Sequence, residues 1–427
     1  MIVKLSPKWK KHLGVVSMII TCFFYNIKQN SLLGKALFGV FQYVLRLVNM
    51  SVLPVVNAEL YKEKTDNVKL TIIESNRVGV SANIIMAGSK EETKFEKKPL
   101  HDIRLKVFKN VCIQGNSDIV VDVENGLVVS EEAYYVGENV EIIDGLLYRT
   151  RNNICMLRDN LCHRKKRIHS GIMISGKFCN NYYHLLYENF NKLIYLEQMN
   201  IPNDVPFIID RITMEIPSCK RIFEILTNNV NRPIITIESD ILYQFDMLYC
   251  LDHVNILPPH IKDPHKPSAV FYSPEALKCL CNKLLPYRSM QLFANRFFIS
   301  RVNTNRRHFN EKDVYGVLEK YGFSQIAPEQ YSFEEQMALF NGARYIVSSS
   351  GAALSNLLFV PKDCIVICFG RSNEREVCES AIFNTIANLK GASFFFFPRK
   401  GVVGNNIHID FEIDCAELEK RLTTIID

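Results

Sequence analysis

The sequence predicts an α/β protein with two Rossmann-like domains facing one cleft, preceded by an N-terminal helical segment and a β-rich prelude. Three observations carry that expectation. After His169, short apolar runs alternate with helical patterns, the signature of βαβ units and a parallel sheet. Pro258, Pro259, Pro264 and Pro267 then interrupt the chain, and no helix or central strand tolerates that density of proline. Beyond them the alternation restarts and runs nearly to the C-terminus. The expected division is residues 1–60, 61–257, a Pro-rich linker 258–268, and a C-terminal α/β domain 269–427.

The N-terminal segment opens with a basic run, Lys8 to His12, and an apolar stretch, Leu13 to Phe24. That stretch is about a dozen residues, short for a bilayer span. From Ser31 to Val56 the polar residues Lys35, Gln42, Arg46 and Asn49 fall on one narrow stripe of a helix that is otherwise apolar. A helix lying in a membrane interface, one docked on the protein's own core, and a true span all remain open. Pro54 ends the segment.

Val68 to Arg149 reads as short β-branched strands, with hairpin turns at Glu124–Gly126 and Asp144–Gly145. It is expected to be an antiparallel prelude rather than a catalytic core. Asp122 and Glu124 resemble an acidic metal pair but read better as a solvated hairpin. In the first α/β unit, "GIMISG" is a strand and "NNYYHLLYENFNKLIYLEQMN" a helix; "VPFIID" and "RPIITI" are strands around "SCKRIFEILTN". In the second unit, "RFFISR", "SQIA", "YIVSSS", "CIVICFG" and "SFFFFP" are strands. The helices between them include one capped by Asn310 and stopped by Gly322, and one opened by a capping box, Ser332 with Glu335.

The junction "YIVSSSGAALSNLLFVP" is the main candidate site. A strand ends in three serines and a glycine, and a helix begins. The first N–H groups of a helix lack internal partners and carry partial positive charge. Gly351 has no Cβ, so backbone can approach a ligand there. Ser349, Ser350, Gly351, Ala352, Ser355 and Asn356 together make a phosphate cradle at the carboxyl edge of a parallel sheet. Arg301 ends an upstream strand, with Arg306 and Arg307 in the following loop. Guanidinium forks match phosphate oxygens, so a diphosphate held without a metal is expected.

Four blocks together resemble glycosyltransferase family 61, known in bacteria as capsular polysaccharide biosynthesis proteins. They are "NYYHLLYENFNKL", "ISRVNTNRRHFNE", "YGFSQIAPEQYSFEEQMALFNGARYIV" and "SSSGAALSNLLFVP". The resemblance implies a GT-B-like architecture and an inverting, metal-independent transfer from a nucleotide-sugar, with no cofactor beyond that donor. It places Arg301, Arg306 and Arg307 at the diphosphate, Ser350 to Asn356 in the donor loop, and Glu335 and Gln336 nearby. His184 falls on the acceptor side. The sequence departs from the family pattern at Ser350 (histidine in the family), Ala353 (glycine), Cys368 (glutamate) and Leu185 (tryptophan).

Inverting transfer needs a base for the acceptor hydroxyl, and His184 has the intrinsic basicity for it. Glu188 lies four residues on, on the same helical face, to orient the imidazole or take the proton itself. The expected partners are a nucleotide-sugar, a glycan or lipid-linked glycan acceptor of a surface polysaccharide, and a membrane surface in peripheral contact. The alternative is a catalytically degenerate GT-B-fold scaffold or binding protein of a polysaccharide assembly complex. Net charge is +6, but no aromatic-interleaved basic stripe accompanies it, so nucleic acid is not an expected partner. The thirteen cysteines lack any metal-like spacing, which fits buried thiols in a reducing compartment, and a cytoplasmic location is expected, at the inner face of the membrane if the helix binds it.

Overall fold

The computed structural model describes residues 51–132, 140–141, 144–151, 154–157, 166–174, 176–257, 270–302, 308–370, 374–400 and 410–426. The Pro-rich linker, Arg306, Arg307 and the chain before Ser51 lie outside the described residues. The molecule is a mixed α/β protein built on two large sheets.

The second sheet has six strands, and every neighbouring pair is parallel. Its order is Ser324–Ile326, Arg296–Ile299, Tyr345–Ser349, Ile365–Gly370, Ser393–Pro398, Ile85–Met86. In chain order the first five run 2-1-3-4-5, a doubly wound arrangement. Helices such as Phe333–Asn341 and Cys415–Ile425 connect or follow these strands, so the strands read as continuous apolar runs. Tyr345–Ser349 is buried at every residue. The expected Phe394–Phe397 strand is present within Ser393–Pro398.

The first sheet has twelve strands. Its parallel part is Ile234–Ile237, Phe207–Asp210, Lys166–Met173 and Leu242–Leu251, in chain order 3-2-1-4. Ile103–Gln114 then pairs antiparallel with Leu242–Leu251 and carries the prelude strands onto the same sheet. The prelude is therefore continuous with the first α/β unit. One strand, Ile85–Met86, pairs with Ser393–Pro398 of the other sheet. An apolar core runs without a break from Ile172 and Tyr187 to Leu354 and Phe394.

Four expectations need correction. Ser51–Val56 is a strand, not the end of a helix; it pairs with Ile154–Leu157 and, in parallel, with Leu127–Val129. Its β-branched Val52, Val55 and Val56 suit a strand, and tertiary pairing overrides the helical stripe. Asp122 is not solvated. It is fully buried and accepts from Tyr61 Oη at 2.6 Å and from Asn125 N at 2.9 Å. Burial alone would raise its pKa, but these donors hold it below the usual carboxylate range. Glu124, at the tip, is exposed. Asn310 stands before the helix Glu311–Glu319, but its amide caps nothing; it bonds Ile413 N and O instead. The fourth is the segment after Asn181, which is not one regular helix. It is a short turn, Tyr182–His184, then a π-turn, Leu185–Asn189, then a 3₁₀ segment, Phe190–Tyr195. π-turns occur often at functional sites.

The capping box forms as expected: Ser332 Oγ accepts from Glu335 N, and the Glu335 carboxylate accepts from Ser332 N. Gly322 follows its helix in the left-handed region, φ 76°. Cys250, Cys364 and Cys368 are buried and stand outside any disulfide. Among the described residues no helix is long and apolar enough to cross a membrane.

Candidate functional site

In an open parallel sheet, ligands bind beyond the carboxyl ends of the strands where the order reverses. In the six-stranded sheet that point lies between Arg296–Ile299 and Tyr345–Ser349, which are neighbours. Arg301 follows the first of these strands and Ser350–Gly351 the second. The two meet: a Cβ built at Gly351 would lie 2.9 Å from Arg301 Nη1. Gly351 has φ 176°, extended backbone open to any residue, so space rather than conformation calls for glycine here.

Each side of this contact is held from behind. Ser300 Oγ and Arg301 N, the latter at 2.9 Å, both donate to the Glu311 carboxylate. Ser350 N donates to Phe369 O at 3.2 Å. Ser348 Oγ donates to Ser349 O at 2.8 Å. The side-chain oxygens of Ser349 and Ser355 are buried with no hydrogen-bond partner among the described residues. Gly351, Ala352 and Ala353 form the accessible lip. Beyond the lip the chain enters a 3₁₀ helix, Ala352–Phe359, rather than an α-helix.

Three residues expected at the donor site are used internally. Asn356 is fully buried; its Oδ1 accepts from Tyr182 Oη at 2.6 Å and its Nδ2 donates to Gln336 Oε1 at 3.0 Å. Gln336 Nε2 donates on to Tyr331 O. Glu335 is engaged in the capping box, whose donors hold its carboxyl below the usual range. Ser355 O accepts from Tyr187 Oη at 2.7 Å. The turn carrying His184 is thus bonded to the loop on both sides of the histidine, through Tyr182 and Tyr187.

His184 Nδ1 lies 2.7 Å from Glu188 Oε1, and its ring stacks on Phe178 with centroids 4.5 Å apart. A carboxylate accepts, so Nδ1 carries a proton in this contact. Glu188 is buried and lines a cavity of about 660 Å³.

That cavity lies at the switch point of the other sheet, beyond the carboxyl ends of Lys166–Met173 and Leu242–Leu251. Its walls are charged. Arg104 Nε and Lys106 Nζ meet the Asp252 carboxylate at 2.8 and 2.6 Å. Lys177 pairs with Glu132 and lies 3.7 Å from Asp118. Burial works against the Lys177 charge, but Glu132 and Asp118 hold it protonated. Lost solvation in the cavity wall, with Lys192 alongside, pushes His253 down to about 4, although 40% of its side chain stays exposed and Asp118, 3.9 Å away, pulls the other way.

Sequence reasoning missed Glu311, Lys192 and the cavity charges on the prelude. Lys192 and Glu311 both stood inside the family-like blocks. A lysine in the apolar run "FNKLIY" is itself a signal, because lysines are rarely buried without a reason. Among the described residues no group of three or more His, Cys, Asp or Glu side chains is placed to hold a metal ion.

Compared with known families, residues 166–367 match the family model described as Glycosyltransferase 61. The match takes in His184, Glu188, Arg301 and the Ser349–Asn356 loop, and stops one residue before Cys368. No curated protein matches the chain.

Proposed function

Residues 166–367 belong to glycosyltransferase family 61, and on that premise we propose an inverting, metal-independent transfer of a sugar from a nucleotide-sugar to a glycan acceptor. The observation that carries it is the Arg301 guanidinium against Gly351 at a topological switch point. Arg301 and the start of the 3₁₀ helix meet there, and the segment holds two buried serine hydroxyls, Ser349 and Ser355, with no partner among the described residues, a setting that suits a pyrophosphate. Arg306 and Arg307 belong to the same proposal. The two strand orders, each with its own switch point, support a GT-B-like pair of units facing one cleft.

In the reaction, His184 Nε2 removes the proton of an acceptor hydroxyl. The hydroxyl oxygen then forms a bond to the anomeric carbon as the carbon–oxygen bond to the diphosphate breaks. The electron pair leaves with the diphosphate, whose charge Arg301 and the loop amides stabilise. Glu188 holds the Nδ1–H and stabilises the imidazolium that forms. Asn356 and Gln336 act behind the loop, tying it to Tyr182. The acceptor belongs to a surface polysaccharide in this reading, and the basic stripe before Ser51 brings the enzyme to a membrane surface.

A thermal-shift screen of nucleoside diphosphates and nucleotide-sugars tests the proposal. Stabilisation by at least one of them, lost on replacing Arg301, supports it. A chain that responds to none of them is the scaffold rather than the enzyme.

A further inference from the structure

The charged cavity has a chemical peculiarity that the transferase reading leaves unused. Arg104, Lys106 and Lys177 each face a carboxylate across a short distance. Lys192 does not. It is 6% exposed, lines the cavity, and has no hydrogen bond or ion pair among the described residues. An unpaired buried ammonium is costly unless something neutralises it. Glu188 shares the cavity wall with it, one turn or so from the His184 pair.

We propose that this cavity is the acceptor pocket and that Lys192 takes an anionic substituent, a carboxylate or phosphate, on an acidic sugar. The inference rests on the transferase reading for the word acceptor; the anion site itself stands on the cavity and the unpaired amine. The location fits, because the cavity sits at the switch point of its own sheet, where α/β proteins bind ligands. The wall chemistry fits too. Arg104, Lys106 and Lys177 are held in ion pairs, so Lys192 is the cation left to meet an acidic group, which must keep clear of the carboxylates Asp118 and Glu188 on the same wall.

The electrostatics of Lys192 add a second signature. Burial pushes its pKa down and Lys106 pushes further, while Asp118, Cys250 and Glu188 pull it back. His253, Lys177, Glu132, Asp252 and Arg104 complete the charged and titratable surroundings on the neighbouring elements. A bound anion favours the ammonium form, so binding takes up protons wherever the free amine is partly neutral.

The test uses the full chain with three probes: glucuronic acid, glucose 6-phosphate and glucose, each titrated by calorimetry in buffers of different ionisation heat. At least one acidic sugar should bind more tightly than glucose, with proton uptake. Lys192→Met keeps the side-chain length and removes the charge. It should raise the melting temperature and weaken the acidic sugar by about tenfold or more, the value of one hydrogen bond to a charged group. Acidic sugars that bind no better than glucose, or equally well to K192M, overturn the inference. Uridine and guanosine diphosphates, titrated alongside, separate the two proposals. If a diphosphate binds through Arg301 and no acidic sugar prefers Lys192, only this inference falls. If an acidic sugar binds through Lys192 and no diphosphate binds, the transferase reading falls and the anion site stands.

Discussion

The Arg301 guanidinium occupies the space that a side chain at Gly351 would need, with Nη1 2.9 Å from the position of a β-carbon there. Two residues fifty positions apart in sequence are thereby fixed on one point of a sheet edge. Neither residue alone is informative. A βα loop with serines is common, and so is an arginine after a strand. Their contact at the reversal of strand order is what singles out the candidate site.

Gly351→Ala should separate fold from function. The backbone there is extended, so alanine adds no conformational strain, and the close atom is the end of a flexible side chain. The guanidinium must give way instead. Melting temperature should change little while nucleoside-diphosphate affinity falls about tenfold, as for a weakened charge-assisted bond. A large loss of stability with affinity retained in the folded fraction would contradict this.

His184→Ala should lower turnover by about 10²–10⁴-fold, the usual contribution of a general base, without changing donor affinity. Glu188→Gln retains a hydrogen-bond acceptor but removes the charge that stabilises imidazolium. It should reduce turnover less and shift the acid limb of the rate profile. If donor affinity collapses in the His184 variant, the histidine belongs to the donor site.

One of the two bonds between His184's segment and the loop can be removed without touching His184 or Arg301. Tyr182→Phe leaves the buried Asn356 Oδ1 without its 2.6 Å donor, a loss of about 1–3 kcal/mol in unfolding free energy. Unfolding in urea reads this out. An unchanged midpoint would mean the bond carries no load.

Acid should weaken the fold through His253. Its folded-state pKa is lowered from 6.5 to about 4, so the unfolded chain takes up the proton first. That contribution is fully present above about 6.5 and is lost as pH falls towards 4. Asp252, also held below its ordinary range, loses its contribution at lower pH still. Comparing melting curves of wild type and His253→Asn isolates the window: the wild type should lose more stability between pH 6.5 and 4. Parallel curves would contradict the assignment.

Truncation should respect the strand Ser51–Val56, which is paired on both edges. Removing residues 1–50 should leave a folded protein and abolish pelleting with anionic vesicles. Removing residues 1–57 takes a strand from inside the sheet and should yield insoluble chain. If the shorter deletion still pelleted with vesicles, the N-terminal stripe would not be the membrane contact.

The parallel strands were legible because they are continuous apolar runs separated by strongly signalled helices, as at Tyr345–Ser349 and Phe333–Asn341. The junction at Ser349–Ala352 was legible because strand, serines, glycine and helix are contiguous. The cavity was not. Arg104 and Lys106 alternate with apolar residues along Ile103–Gln114, a pattern that reads as a solvent face. In the folded chain Asp252, just past the end of Leu242–Leu251, closes over them from more than a hundred residues away. The π-turn after His184 was equally hidden, because the spacing from His184 to Glu188 suits a regular helix as well. Only the fold shows that Asn356 and Gln336 face each other rather than the lip.

Calorimetric titration of wild type and Arg301→Ala with nucleoside diphosphates addresses the central claim most directly. The account predicts binding to the wild type and a loss of about 2–3 kcal/mol in the variant, from one buried charge-assisted contact. Equal affinity in the two proteins would remove Arg301 from the site and the pyrophosphate from the Gly351 loop.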